Sequence, residues 1–280
     1  MCTTKFVGRR FVISDIDGYI CSPDPCVVLD QVNQWYPMDT QERFHKAKEE
    51  FESEFGTPFP WTEDCVSYNL DRYGFWGNNL PSSAVENSLM ALGCSQTFGI
   101  GIKEEQTWPT LLGKHLDIPA YNLGAPGMGY ETMFRLLHHW WPKIRSKNVF
   151  MYVNASCRRE FFNENYEWPA WSTLSASSHH MKNFEDLVLT MFLDEKNCTA
   201  SKQRAVYAIK GFCDVNAINL FGVDLDPCPI EDVTKYPAFM EHPDEWFTMD
   251  VARDYAHHGP IFNEKLADYF RSEYVSNLPS

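Results

Sequence analysis

NSLMALGCSQTFGIG, residues 87–101, decides how this chain is read. Its apolar run, Leu89, Met90, Ala91 and Leu92, has the length of one buried strand. The run feeds a turn of small residues that carries one serine, Ser95, with Gly93, Gly99 and Gly101 around it. Glycine allows the sharp turn and leaves the hydroxyl uncovered. A serine on a tight strand-to-helix turn is one way that unrelated hydrolases present a nucleophile. A plain Gly-rich loop is the competing reading. Cys94 is the alternative nucleophile, but in a strand-like turn it points away from the side that Ser95 faces.

A serine nucleophile needs an imidazole to take its proton, and that imidazole needs a carboxylate to hold its tautomer. ARDYAHHGP, residues 252–260, offers both within one turn. Asp254 and His257 stand at i and i+3, a spacing that lets both side chains face the same way. A solvated polar loop before the last helix is the competing reading. His258 is the alternative base.

Taken together, these stretches resemble the SGNH (GDSL-type) hydrolases. GCSQTFGIG is similar to their first block, G-D-S-x-T-x-G-x-G, with Cys94 in place of the aspartate. ARDYAHHGP is similar to their closing D-x-x-H block. Between them NLGAPGMGY, residues 122–130, looks like the N-x-G-x-x-G turn, whose last glycine, here Gly127, supplies an oxyanion-hole amide. NLDRYGFWG, residues 69–77, is similar to an N-x-x-G-F-R-G element in a branch that includes enzymes acting on acetylated polysaccharides. The third block, G-x-N-D, is imperfect: after the strand the chain reads VNASCRRE, leaving Asn154 or Ser156 as the side-chain oxyanion donor.

The resemblance implies a flavodoxin-like α/β fold, a parallel sheet with helices on both faces. It implies a Ser95–His257–Asp254 triad that removes small acyl groups such as acetyl from a carbohydrate or similar ester, with no metal or cofactor. An O-acetyltransferase on the same triad, or a binding module that keeps the fold, are the alternatives.

The apolar and turn patterns give a matching order of elements. Residues 1–81 read as an N-terminal extension or accessory lobe, and 82–280 as the hydrolase-like domain with an insertion around 161–200. Within the extension, residues 10–20 read as a hairpin turning at Asp17-Gly18, and 41–55 as an amphipathic surface helix. In the domain, strands are expected at 89–92, 120–123, 149–153 and 218–223. Helices are expected at 104–115, 131–141, 183–193, 202–212 and 261–274, with loops at 163–180 and 226–250. Alternating strands and helices make a parallel sheet whose site lies at the carboxyl ends of the strands.

Composition narrows the partners. The formal charge is −14, from 38 acidic against 24 basic residues, which weighs against nucleic acid and anionic membrane surfaces. Nine cysteines without a C-x-x-C pair show neither a zinc pattern nor a disulfide framework. With no signal-like segment and no apolar run of spanning length, a cytoplasmic protein is expected. The sequence is silent on oligomeric state.

Three rival features point elsewhere. FVISDIDGY, residues 11–19, has the D-x-D look of haloacid-dehalogenase-like phosphatases, with Asp15 as acceptor and Asp17 as acid/base. The paired histidines at 138–139 and 179–180 lack acidic partners at ligand spacing and read as structural. Arg158, Arg159 and Glu160 suit either an ion pair or a grip on substrate, and Trp168 and Trp171 either a stacking platform or a small local core.

Overall fold

Two short strands, β1 (Gln31–Asn33) and β2 (Tyr68–Leu70), pair antiparallel around helix α1 (Gln41–Phe55). A computed structural model describes residues 29–76, 80–127, 129–153, 158–163, 170–174, 195–224, 240–241 and 250–277. Helix α1 starts where Thr40 accepts a hydrogen bond from the Arg43 amide, and stops at Gly56 in the left-handed region. It buries Phe44 and Ala47, the apolar stripe of an otherwise charged helix.

The sheet that follows is parallel throughout. Its strands are β3 (Leu89–Gly93), β4 (Ala120–Gly124), β5 (Asn148–Val153), β8 (Asn219–Asp224) and β9 (Met240–Glu241). They lie in the order β4-β3-β5-β8-β9. Counted from β3, that is the flavodoxin-like order 2-1-3-4-5. Between β5 and β8 an antiparallel ribbon, β6 (Arg159–Asn163) and β7 (Ala170–Leu174), is inserted.

Both faces of the sheet are apolar, so helices cover both. Met90, Leu92, Val149 and Met151 point to α4 (Tyr130–Ile144) and α5 (Glu195–Val215). Leu89, Ala91, Phe150 and Tyr152 point to α3 (Trp108–Leu116) and α6 (Pro260–Ser276). Helix α2 (Ser95–Phe98) is a single turn after β3. Part of 29–76 belongs to the first of these cores, where Val66, Tyr68, Leu70, Phe75 and Trp76 are buried and Tyr68 and Trp76 pack against Phe98 of α2, while Phe44, Ala47 and Phe59 form a small core of their own.

Several elements depart from the sequence reading. The helix expected over 104–115 is split into a 3₁₀ turn, Glu104–Gln106, and α3. Pro109 would lack an amide and clash in the sixth position of one long helix, so the backbone becomes extended at Thr107 and places Pro109 in the first turn of α3. Helix α4 runs past Pro142 instead of stopping at 141. Burial of Trp140, Trp141 and Ile144 outweighs the proline this close to the helix end. Helix α5 is longer at both ends than 202–212. Residues 170–174, within the expected loop at 163–180, pair with 159–163 at its start, and Met240–Glu241, within the expected loop at 226–250, adds a fifth strand. The expected hairpin over 10–20, with Asp15 and Asp17, lies outside the described residues, as do the helix at 183–193 and most of 226–250.

Candidate active site

Ser95 sits at the first position of α2, directly after β3. This turn demands close approach of backbones. A Cβ on Gly124 would stand 2.4 Å from the Phe98 amide nitrogen, and one on Gly93 would meet the Thr97 hydroxyl. Asn122 ties the pieces together: its amide donates to the Thr97 carbonyl at 2.8 Å, while its Oδ1 accepts from the Gly124 amide at 2.9 Å. Thr97 Oγ1 in turn accepts from Trp108 Nε1 at 3.3 Å. The serine turn is thus fastened to β4 and α3, its immediate neighbours in the sheet domain.

The turn from Asp250 to Pro260 approaches from the other end of the chain. Asp254 Oδ1 accepts from the amides of Ala256 and His257, at 3.2 and 3.1 Å, which folds the segment into an Asx turn. Tyr255, inside this turn, has φ 57°, the left-handed region that a bulky residue enters only when its surroundings impose it. Asp254 Oδ2 lies 2.6 Å from His257 Nδ1, and His257 Nε2 lies 2.8 Å from Ser95 Oγ. A carboxylate can only accept, so Nδ1 carries the proton and Nε2 is left to accept from the serine hydroxyl. All three residues are nearly buried, at 2% exposure for Ser95, 6% for Asp254 and 8% for His257. His258 is turned the other way: its ring stacks on Phe262 at 4.0 Å, and its amide donates to Gln96 Oε1.

Behind the turn lies a fully buried ion pair. Arg253 Nη2 donates to Asp39 Oδ2 at 2.6 Å, and both side chains are 0% exposed. Nε also donates to Asp39 Oδ1, at 3.2 Å, the other guanidinium protons reach the carbonyls of Gln34, Glu63 and Val66 at 3.0, 2.6 and 3.1 Å, and the guanidinium lies 4.3 Å from the Trp35 ring centroid. Tyr68 donates to Asp39 at 2.6 Å and accepts from the Gly101 amide at 2.8 Å. Burial pushes the Asp39 carboxyl above its usual range, against the pull of Arg253 and Tyr68. Burial, and then the Asp39 charge, push the Tyr68 hydroxyl well up, so it serves as a donor to that carboxylate. Gly101, at φ 75°, lets the chain pass within reach of residues 252–254, where its carbonyl accepts from Arg253 N at 2.9 Å.

Of the residues singled out in the sequence, Ser95, Asp254 and His257 lie together. Gly127 stands in the loop after β4, at φ 75°. Asn154 and Ser156 lie outside the described residues, as do Trp168 and the histidines at 179–180. Among the described residues no three His, Cys, Asp or Glu side chains are grouped to hold a metal ion, and no helix is long and apolar enough to cross a membrane. Sequence reasoning missed Asp39, Tyr68 and Gln96. It also missed Asp250, whose carboxylate accepts from the amides of Ile261 and Phe262 and caps α6. Arg253, inside the quoted ARDYAHHGP, was the one visible signal: an arginine between apolar Ala252 and a carboxylate asks for a buried partner.

No protein-family model matches the chain, and no curated protein matches it. Among solved structures it is similar to a protein of the G-D-S-L family from Desulfitobacterium hafniense DCB-2, at 12% identity and a TM-score of 0.40, covering 67% of this chain and 99% of that one. It is also similar to the psychrotrophic esterase EstA from Pseudoalteromonas sp. (12% identity, TM-score 0.43, covering 68% and 97%). A third is the Clostridium thermocellum family 3 carbohydrate esterase (14% identity, TM-score 0.39, covering 69% and 96%). Overlaps this low carry nothing about this chain's chemistry. What stands without them is a flavodoxin-like α/β fold with a serine, a histidine and an aspartate linked in series where the first strand ends.

Proposed function

We propose that the protein is a serine ester hydrolase of the SGNH type, acting on small acyl esters. The observation that carries this reading is the hydrogen-bonded series Ser95 Oγ, His257 Nε2, His257 Nδ1, Asp254 Oδ2, at 2.8 and 2.6 Å. Its position adds support: in a sheet of this order, sites form where the strand order reverses, which is at the carboxyl ends of β3 and β5.

In this reading Ser95 Oγ attacks the ester carbonyl as its proton passes to His257 Nε2. Asp254, holding Nδ1, stabilises the imidazolium that forms. The carbonyl electron pair moves onto oxygen, which the amides of Ser95 and Gly127 receive, together with Asn154 or Ser156. Each such donor is worth roughly 100- to 1000-fold in rate. Collapse of the intermediate breaks the bond to the leaving alcohol, which takes the proton from His257. Water, activated by the same imidazole, then frees the acyl group from Ser95. The likeness of NLDRYGFWG to a branch acting on acetylated polysaccharides makes acetylated carbohydrate the first substrate to try.

The test is turnover of p-nitrophenyl acetate by the purified protein, with mass-spectrometric mapping of the residue labelled by a fluorophosphonate. Ser95→Ala and His257→Ala should each lose about 10⁴-fold or more in kcat, and the label should sit on Ser95. Wild-type turnover no faster than that of either variant, on this ester and on acetylated sugars, would sink the reading.

A further inference from the structure

We infer that Asp39, acting through Arg253, is a positioning residue for the acid–base turn, so that residues 29–76 complete the site instead of decorating it. The inference rests on the hydrolase reading above.

Arg253 immediately precedes Asp254, and a shift in the backbone of one moves the other. The guanidinium is clamped on every side by residues 34–66: the Asp39 carboxylate, three backbone carbonyls and the Trp35 ring. A planar fork with five donors fixes direction as well as distance, which a lysine would not do. Asp39 itself is held by Tyr68, whose hydroxyl also receives the amide of Gly101, six residues after Ser95. One buried chain of polar contacts therefore links the loop following the serine turn to the turn bearing His257. Two further ties come from the same part of the sequence. Trp61 Nε1 donates to the Val251 carbonyl at 2.9 Å, and Tyr255 donates to Glu54 at 2.6 Å while its ring meets Phe51 edge-on.

Within its own segment, the acid–base turn has little else to hold it. Its internal bonds are the two amides on Asp254 and a few turn contacts, such as Ala252 N to His257 O. Tyr255 also keeps a left-handed φ, which needs outside support. Neither Asp39 nor Arg253 reaches the reacting atoms. Their part is to keep His257 Nε2 at bonding distance from Ser95, where a displacement of about 1 Å costs on the order of 100-fold in rate.

The experiment uses the full chain with Asp39→Asn, which keeps the shape and the Tyr68 contact and removes the charge that orients Arg253. Active sites are counted by fluorophosphonate titration, and kcat and KM are measured for p-nitrophenyl acetate. The expected result is a kcat per folded protein lower by about 10- to 100-fold with KM within about twofold. The far-downfield Nδ1 proton resonance of His257 should shift or broaden as well. A folded Asp39→Asn variant with wild-type kcat and an unmoved resonance overturns the inference, since a merely structural role would change stability alone. If Asp39→Asn does not fold, Arg253→Lys decides. It keeps a cation against Asp39 but loses the planar fork, and should lower kcat several-fold at constant KM, whereas wild-type kcat overturns the inference. Wild-type protein that neither turns over the ester nor takes the label on Ser95 sinks the hydrolase reading, and this inference with it. Wild-type protein that does both, with unimpaired variants, sinks this inference alone.

Discussion

The serine turn and the acid–base turn meet at a 2.8 Å contact but are held in different ways. The serine turn grows out of β3 and is fastened by close packing against β4, with Gly93 and Gly124 leaving no room for a methyl group and Asn122 stitching backbone to backbone. The acid–base turn emerges beside the same sheet and is gripped by a charged, fully buried pair whose other half lies in a distant part of the sequence. One turn depends on shape, the other on electrostatics in a dry interior. Shape fails when something is added. A buried ion pair fails when one partner is taken away.

That contrast can be broken most forcefully at Arg253. Arg253→Met leaves the Asp39 carboxylate buried without its counter-charge and should cost about 3–5 kcal/mol, read by urea unfolding. A loss under about 1 kcal/mol would mean that something else holds the acid–base turn. On the serine side, Gly124→Ala forces a Cβ to within 2.4 Å of Phe98 N, and either β4 or the α2 turn must shift. A loss of about 2–3 kcal/mol is expected, read by urea unfolding. Asn122→Ala sharpens the same side. It removes two hydrogen bonds inside the turn and should cost about 2 kcal/mol without moving the acid–base turn.

The smallest effect has the opposite sign. Burial pushes the Asp71 carboxyl up to about 6, although it accepts from the amides of Tyr73 and Phe75. Between its unfolded value of 3.8 and that higher one, the native state keeps a proton that the unfolded chain has released. Stability from this group is therefore present at low pH and lost as pH rises through that window. Asp71→Asn keeps an acceptor without the charge. It should stabilise the protein by about 1 kcal/mol at pH 7 and make no difference near pH 4, by urea titration at both values.

What could be read from the sequence follows the reach of each interaction. Helix α1 was legible because its apolar stripe recurs at spacings of three and four, a local pattern. Strand β3 was legible as an apolar run before a glycine, and Asp254 and His257 as a pair because three positions separate them. The Asp39–Arg253 pair was hidden. Its partners are 214 positions apart, and Asp39 stands just before Thr40, where an acidic residue reads as part of a helix start. The split of the 104–115 helix was within reach, since Pro109 could only sit in a first turn. The passage of α4 through Pro142 was not, because it depends on where Trp140 and Trp141 are buried. Strand β9 has two residues and no period to detect.

The clasp between positions 39 and 253 closes a ring of backbone that encloses every strand of the main sheet. Contacts of such long sequence separation form late and slowly, since the loop-closure entropy must be met before they contribute. On a ribosome β3, β4 and β5 emerge well before Arg253, so the Asp39 carboxylate waits for its counter-charge while those strands can already pair. The sheet itself is complete only once β8 and β9 are out, so the last strands and the clasp on Arg253 arrive almost together, and the contact between Ser95 and His257 forms in one late act of closure.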